Sequence, residues 1–145
     1  MARFSAGGLT TAGSTTLPVV GLIGSAGVQA RIREIGVFNT TATAVALKLV
    51  RITTAGTPGA TLASQNGNMD PTSSIALLKN TFSGTAPTTV DLGFRCVLGA
   101  AVGSGFVWTF EDWDLTTLVL ANSGIGILVE NGTGQALQTY FKWLE

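Results

Sequence analysis

The sequence predicts an all-β fold, an antiparallel β-sandwich of jelly-roll type with roughly 8–10 short strands. Three observations indicate this fold. Apolar and polar residues alternate in several segments, turn-forming residues separate those segments at short intervals, and no segment has the periodicity of a long helix. The length of 145 residues fits one domain.

The N-terminal segment, residues 1–14, is predicted to be an extended arm that precedes a single sandwich domain over residues 15–145. The segment is rich in Gly, Ser and Thr, with Arg3, Phe4 and Leu9 scattered along it. Such a composition packs poorly by itself, so we expect the arm to become ordered against a neighbouring subunit. Its three larger side chains are therefore candidates for an interface.

The predicted strands share β-branched and aromatic residues between turn formers. They cover residues 17–23, 28–39, 44–53, 90–98, 106–110, 115–121, 124–130 and 135–143. The segment 75–82 fits either a helical turn or a strand. Residues 65–71 combine several turn formers and predict a long loop, and Asn131-Gly132 is typical of a tight hairpin turn.

One predicted strand, residues 28–39, changes its apolar phase part of the way along. Ile32 belongs to one alternating set, and Ile35 and Val37 belong to the other. Because side chains alternate strictly between the two faces of a strand, this slip predicts a bulge near Arg33-Glu34 or a bend between two sheets.

The aromatic residues are predicted to be mainly core residues. Trp108 alternates with Phe106 and Phe110, and Trp143 shares a face with Phe141. Trp113 differs, because it lies between two aspartates in a predicted loop. It is either an exposed interface anchor or a cap on the end of the sandwich.

Few residues offer catalytic or metal-binding chemistry. The chain has no histidine and one cysteine, Cys96, which lies on the apolar face of segment 90–98 and is predicted to be buried and inert. Glu111, Asp112 and Asp114 lie close in sequence, but their spacing does not match a calcium-binding loop. We predict no catalytic residue, no metal site, no cofactor and no enzymatic activity.

The charge pattern favours a surface that other proteins cover, and the alternative is a Thr- and Ser-rich surface that is polar without being charged. Lys plus Arg and Asp plus Glu both number 8, and charged residues make up only 11% of the chain. Arg31 and Arg33 are the nearest approach to a basic cluster and are candidates for an interface, but a nucleic-acid backbone requires a larger one. The sequence contains no apolar run long enough for a membrane helix. The polar N-terminal segment does not fit a signal peptide.

Three segments carry a resemblance to a known family. They are residues 33–51 (REIGVFNTTATAVALKLVR), 98–103 (LGAAVG) and 129–138 (VENGTGQALQ). Together they resemble small virion proteins of tailed bacteriophages, especially phages of actinobacterial hosts, over most of residues 28–143. The relatives have an Ile-Pro-Ala-Gly turn before the penultimate strand, where this chain has Leu120-Ala121-Asn122-Ser123.

This resemblance implies a non-enzymatic head decoration (cement) protein, made in the host bacterial cytoplasm and placed on the capsid exterior of the virion. Its expected partners are the major capsid protein and further copies of itself, with a homotrimer as the natural arrangement. Two alternatives stay open, a tail- or fibre-associated virion protein and a carbohydrate-binding module. A carbohydrate-binding module would need an exposed aromatic platform beside Asn, Asp or Gln groups.

Overall fold

A computed structural model describes residues 1–69 and 72–145 and confirms the all-β prediction, since the described residues form strands, turns and loops without a helix. Twelve strands are present in this part of the chain. They are β1 (Arg3–Leu9), β2 (Val20–Ile23), β3 (Arg31–Asn39), β4 (Val45–Thr54), β5 (Thr61–Leu62), β6 (Gln65–Asn66), β7 (Leu77–Lys79), β8 (Thr88–Leu98), β9 (Gly105–Thr109), β10 (Leu115–Thr116), β11 (Gly124–Asn131) and β12 (Leu137–Leu144).

The strands form two antiparallel sheets that pack face to face. The first sheet has the order β10-β3-β12-β1-β6, with β9 also pairing with β3, and the second has the order β5-β7-β2-β11-β4-β8. Without the short strands, β9-β3-β12-β1 faces β8-β4-β11-β2. This is the strand order of a jelly roll, in which the chain repeatedly crosses between sheets, so the predicted fold class is confirmed.

The core lies between the two sheets and uses the inward-facing half of each long strand. In the first sheet, Phe141 of β12 lies between Ala6 of β1 and Ile35 of β3, and all three are buried. In the second sheet, β11 is buried over nearly its whole length between β2 and β4. Trp108 and Trp143 are core residues, as predicted.

The prediction of an N-terminal arm is wrong for residues 3–9. They form β1, an interior strand of the first sheet, which pairs with β12 from Arg3↔Leu144 to Leu9↔Gln138 and with β6 on its other side. The physical reason is that the strand is stabilised by its neighbours. Its own sequence carries only two inward apolar side chains, Phe4 and Ala6, which gives too weak an alternation to be recognised.

The change of apolar phase in β3 is caused by a bulge, which is one of the two predicted alternatives. Lys142 pairs with Glu34 and Trp143 pairs with Ile32, so that Arg33 is an extra residue opposite β12. A bulge places two consecutive side chains against one partner position and re-aims one of them. The apolar residues on both sides of Arg33 therefore face the core.

Other segments differ in detail from the predictions. Residues 75–82 contain a strand, β7, and strand structure in 115–121 is limited to β10. The predicted loop 65–71 begins with β6, and its residues Asp70 and Pro71 lie outside the described residues. Phe106 is 42% exposed rather than buried, and it lies on β9, which pairs with β3 alone.

Candidate binding surface

The outer face of the first sheet collects several of the residues predicted for an interface. Side chains alternate along β1, so Arg3, Ser5 and Leu9 share the outward set while Phe4 faces inward. Leu9 is 54% exposed. Phe4 stacks on Trp143, with ring centroids 6.0 Å apart, and is a core residue in place of the predicted interface residue.

The two predicted arginines of β3 lie beside this surface. Arg31 forms an ion pair with Asp114, with 3.5 Å between Nε and Oδ1. Arg33 donates a hydrogen bond from Nη1 to the backbone carbonyl of Glu111, at 3.2 Å. Because Arg33 is the extra residue of the bulge, it and Glu34 both border the same outward cavity.

A shallow groove runs along β1 and β12 on this face. It consists of two adjoining cavities of about 640 Å³ and 470 Å³, which share Ser5 and Lys142 in their linings. Arg3, Arg33, Glu34 and Glu111 border the larger cavity. The smaller one is bordered by Gly7, Ala63, Gln65 and Tyr140. We call this feature the outer groove.

The floor of the outer groove contains a tyrosine between glycines. Tyr140 pairs with Gly7 on one side and with Gly36 on the other. A Cβ atom added at Gly36 would overlap the Tyr140 ring, and one added at Gly105 would overlap Phe38. Both rings therefore lie across glycines of neighbouring strands, with their centroids 6.3 Å apart and their planes inclined by 22°.

Hydrogen bonds hold Tyr140 in this position. Its hydroxyl donates to Glu34 Oε1 at 2.6 Å, and the Lys142 ammonium donates to the same oxygen at 2.8 Å. The bond from Lys142 and, to a smaller extent, the bond from Tyr140 lower the pKa of the Glu34 carboxyl. Partial burial and then the bond to Glu34 raise the pKa of Tyr140 to about 12. At neutral pH the pair is a phenol that donates and a carboxylate that accepts.

A second surface is the side of the sandwich where β8 and β9 form the sheet edges. Trp113 lies in the loop between β9 and β10, is 64% exposed, and packs edge-on against Phe94 of β8, with centroids 6.3 Å apart. It thus caps the sandwich and remains available to a partner. The other exposed large apolar residues of this stretch are Val90, Val97, Val102, Phe106 and Val107. Phe106 and Val107 are consecutive on β9 and point to opposite faces of the first sheet. We call this set, with Trp113, the β8–β9 side, and it spans more than one face of the sandwich edge.

Cys96 is buried, as predicted, and we expect it to resist labelling. Its residue is 8% exposed, and burial raises the pKa of the thiol from 9.0 to about 12. At pH 8 the folded protein therefore carries about 1000-fold less thiolate than an ordinary cysteine would. A thiol-reactive dye should modify the native protein far more slowly than the urea-unfolded protein. If the native protein is labelled stoichiometrically and as rapidly as the unfolded protein, the placement of Cys96 in the core is wrong.

The part of the chain that the structure describes offers neither a metal-binding cluster nor a membrane-spanning helix. No three or more His, Cys, Asp and Glu side chains lie together there in a way that could hold a metal ion. Over the same residues, no helix is long and apolar enough to cross a membrane. Comparison with known proteins does not place the chain, since no family model, curated protein or solved structure matches it.

The sequence does not mark the central residues of the outer groove as a site. Glu34, Tyr140 and Lys142 lie at outward positions of predicted strands, where polar residues are ordinary. A usable signal was the pair of glycines, Gly7 and Gly36. Glycine in a strand interior often marks a close approach by another backbone or by a ligand. That signal becomes specific only when the strand register shows both glycines beside Tyr140.

Proposed function

We propose that this chain is a non-enzymatic structural protein of a tailed-phage virion, most simply a head decoration protein that binds and stabilises the shell of major capsid protein. The observation that carries the proposal is the β8–β9 side, where six large apolar side chains are exposed along one stretch of chain. These side chains lie on more than one face of the β8 and β9 edges, since Val97 points outward from the second sheet and Val107 outward from the first. Exposed large apolar residues in such number are typical of surfaces that other proteins cover.

The fold and the charge content support the same role. Jelly rolls are common among viral capsid proteins, although a fold by itself does not specify a function. With 11% charged residues and a formal net charge of zero, a free monomer has little electrostatic protection against association. Many copies that each make weak contacts with a symmetric shell would gain strength through multivalency.

Trp113 is the expected anchor of the contact. It is large, exposed, and held from one side by Phe94, so that little side-chain freedom is lost when a partner covers it. We propose that it contacts the capsid protein or a second copy within a homotrimer. Arg31 and Asp114 beside it form a solvent-exposed pair, which contributes little to affinity.

We expect attachment to particles to survive high salt. Apolar burial contributes roughly 25 cal/mol per Å² and is not screened, whereas exposed charges are screened beyond about 10 Å at 0.1 M salt. Occupancy on purified particles should hold near molar salt, and particles lacking the protein should rupture at a lower temperature. Trp113→Ser should reduce occupancy. Met69→Ser, at an exposed apolar residue after β6, should not.

Three outcomes would redirect the proposal. Release at moderate salt would assign attachment to Arg31, Arg33 or the acidic residues of the 110–114 loop. Full occupancy with an unchanged rupture temperature would remove the stabilising role. Location of the chain at the tail in images of intact particles would favour the first alternative, a tail- or fibre-associated protein.

A further inference from the structure

We propose that the outer groove is a binding site for a neutral oligosaccharide, with Tyr140 as the stacking platform. This inference does not depend on the virion role. It rests on the floor of the groove, its mixture of hydrogen-bonding groups and its charge.

The floor of the smaller cavity contains the Tyr140 ring. The Lys142 ammonium lies 5.4 Å from the ring centroid, so a ligand that stacks on the ring has to displace this flexible side chain. Gly7 lies beside Tyr140 and Gly36 lies beneath its ring, so no side chain from either neighbouring position rises next to the ring. Interior glycines weaken a strand, and their usual justification is close approach by a ligand or another backbone. At Gly36 the close neighbour is the Tyr140 ring, and at Gly7 it is the β12 backbone at Thr139 and Tyr140. Gly7 also borders the smaller cavity.

The groove offers both donors and acceptors along its length. Gln65 and Ser5 present groups that can donate or accept, Glu34 and Glu111 present carboxylates, and Lys142 presents an ammonium group. A sugar hydroxyl is itself both a donor and an acceptor, so this mixture suits a chain of hydroxyl groups. From Arg3 to Gly7 the groove follows β1 for roughly 13 Å, which is the length of a short oligosaccharide.

The charges of the groove nearly cancel, with three cations against two carboxylates, and this balance suits a neutral ligand better than a polyanion. Lys142 is already paired with Glu34, and the cations Arg3 and Arg33 share the larger cavity with the carboxylate of Glu111. A polyanion would therefore meet two carboxylates among three cations. Neutral hydroxyl groups meet no such opposition, and they can accept from guanidinium groups and donate to carboxylates.

The test uses the full chain and an array of neutral hexasaccharides from the glucan, mannan, galactan and arabinan series, with heparin and a single-stranded oligonucleotide as polyanions. We expect at least one neutral series to bind with a Kd below 1 mM, about equally at 50 mM and 500 mM NaCl. Tyr140→Leu should weaken this binding at least tenfold, because the ring is lost while an apolar cover remains over Gly36. Tyr140→Phe retains the ring and should bind within about threefold of the unaltered protein.

Thermal melting of both variants separates lost stacking from lost folding. If Tyr140→Leu melts well below Tyr140→Phe, Gln65→Ala at the rim takes its place and should weaken binding severalfold. The proposal is overturned if no neutral series binds, if only polyanions bind with an affinity that falls steeply with salt, or if the folded variants bind as the unaltered protein does. None of these results concerns attachment to particles, so the virion role is tested separately.

Discussion

Deletion of residues 1–9 is expected to abolish cooperative folding. These residues include β1, which forms seven residue pairs with β12 and also pairs with β6. The deletion removes the buried side chains of Phe4 and Ala6 and uncovers the indole of Trp143, which stacks on Phe4. Burial of one large apolar side chain contributes about 1.5–3 kcal/mol. Loss of a whole interior strand exceeds what a stability of about 5–15 kcal/mol tolerates.

Circular dichroism and thermal melting measure this effect. The truncated protein should lack a sharp melting transition and should aggregate, because β12 then presents an unpaired edge. Deletion of Met1 alone is the matched control, since that residue lies outside β1 and is largely exposed. A truncated protein that melts cooperatively within a few degrees of the control would restore the view of this segment as a dispensable arm.

Replacement of Glu145 is expected to have the second-largest effect. Its carboxylate accepts hydrogen bonds from the Ser74 hydroxyl at 2.7 Å, the backbone N–H groups of Ile75 and Ala76 at 2.9 and 2.8 Å, and the Trp143 indole N–H at 2.9 Å. It thereby ties the end of β12 to the segment that leads into β7. Hydrogen bonds to charged groups contribute about 1.5–3 kcal/mol each, less where water can replace the partner.

We expect Glu145→Ala to lower the free energy of unfolding by about 2–4 kcal/mol, as measured in urea, because the buried Trp143 loses the acceptor of its N–H group. Glu145→Gln retains one acceptor oxygen, so its free energy of unfolding should lie between those of the unaltered protein and Glu145→Ala. Glu130→Ala is the control. It removes an exposed ion pair with Arg95 and should cost less than about 1 kcal/mol. Equal losses in Glu145→Ala and Glu130→Ala would mean that water replaces the four bonds.

The sequence predicts strand positions well where a strand buries one of its two faces. In β12 and in the second half of β8, apolar residues alternate with polar ones, and the predicted boundaries lie within a few residues of the observed ones. The bulge at Arg33 was also accessible, because a change of phase in an apolar pattern has few structural explanations.

The sequence is uninformative where a strand depends on its neighbours. The segment Arg3–Leu9 contains two glycines and a weak apolar alternation, and only β12 and β6 hold it extended. The outer groove has the same origin. Arg3 and Arg33 are thirty residues apart in sequence, and they border one cavity because β12 lies between β1 and β3. Such a site depends on the register between strands that are distant in sequence, and a local pattern of residues does not reveal that register.

The pairing of β1 with β12 has a consequence for synthesis on the ribosome. Thr10, just after β1, bonds to Leu137, which lies 127 residues further along the chain. At about 5–20 residues per second, β1 leaves the ribosome roughly 6–25 s before its principal partner is made. The first sheet therefore closes only after translation of β12. Until then β1 is available to chaperones, and to the nascent chains of neighbouring ribosomes on the same messenger.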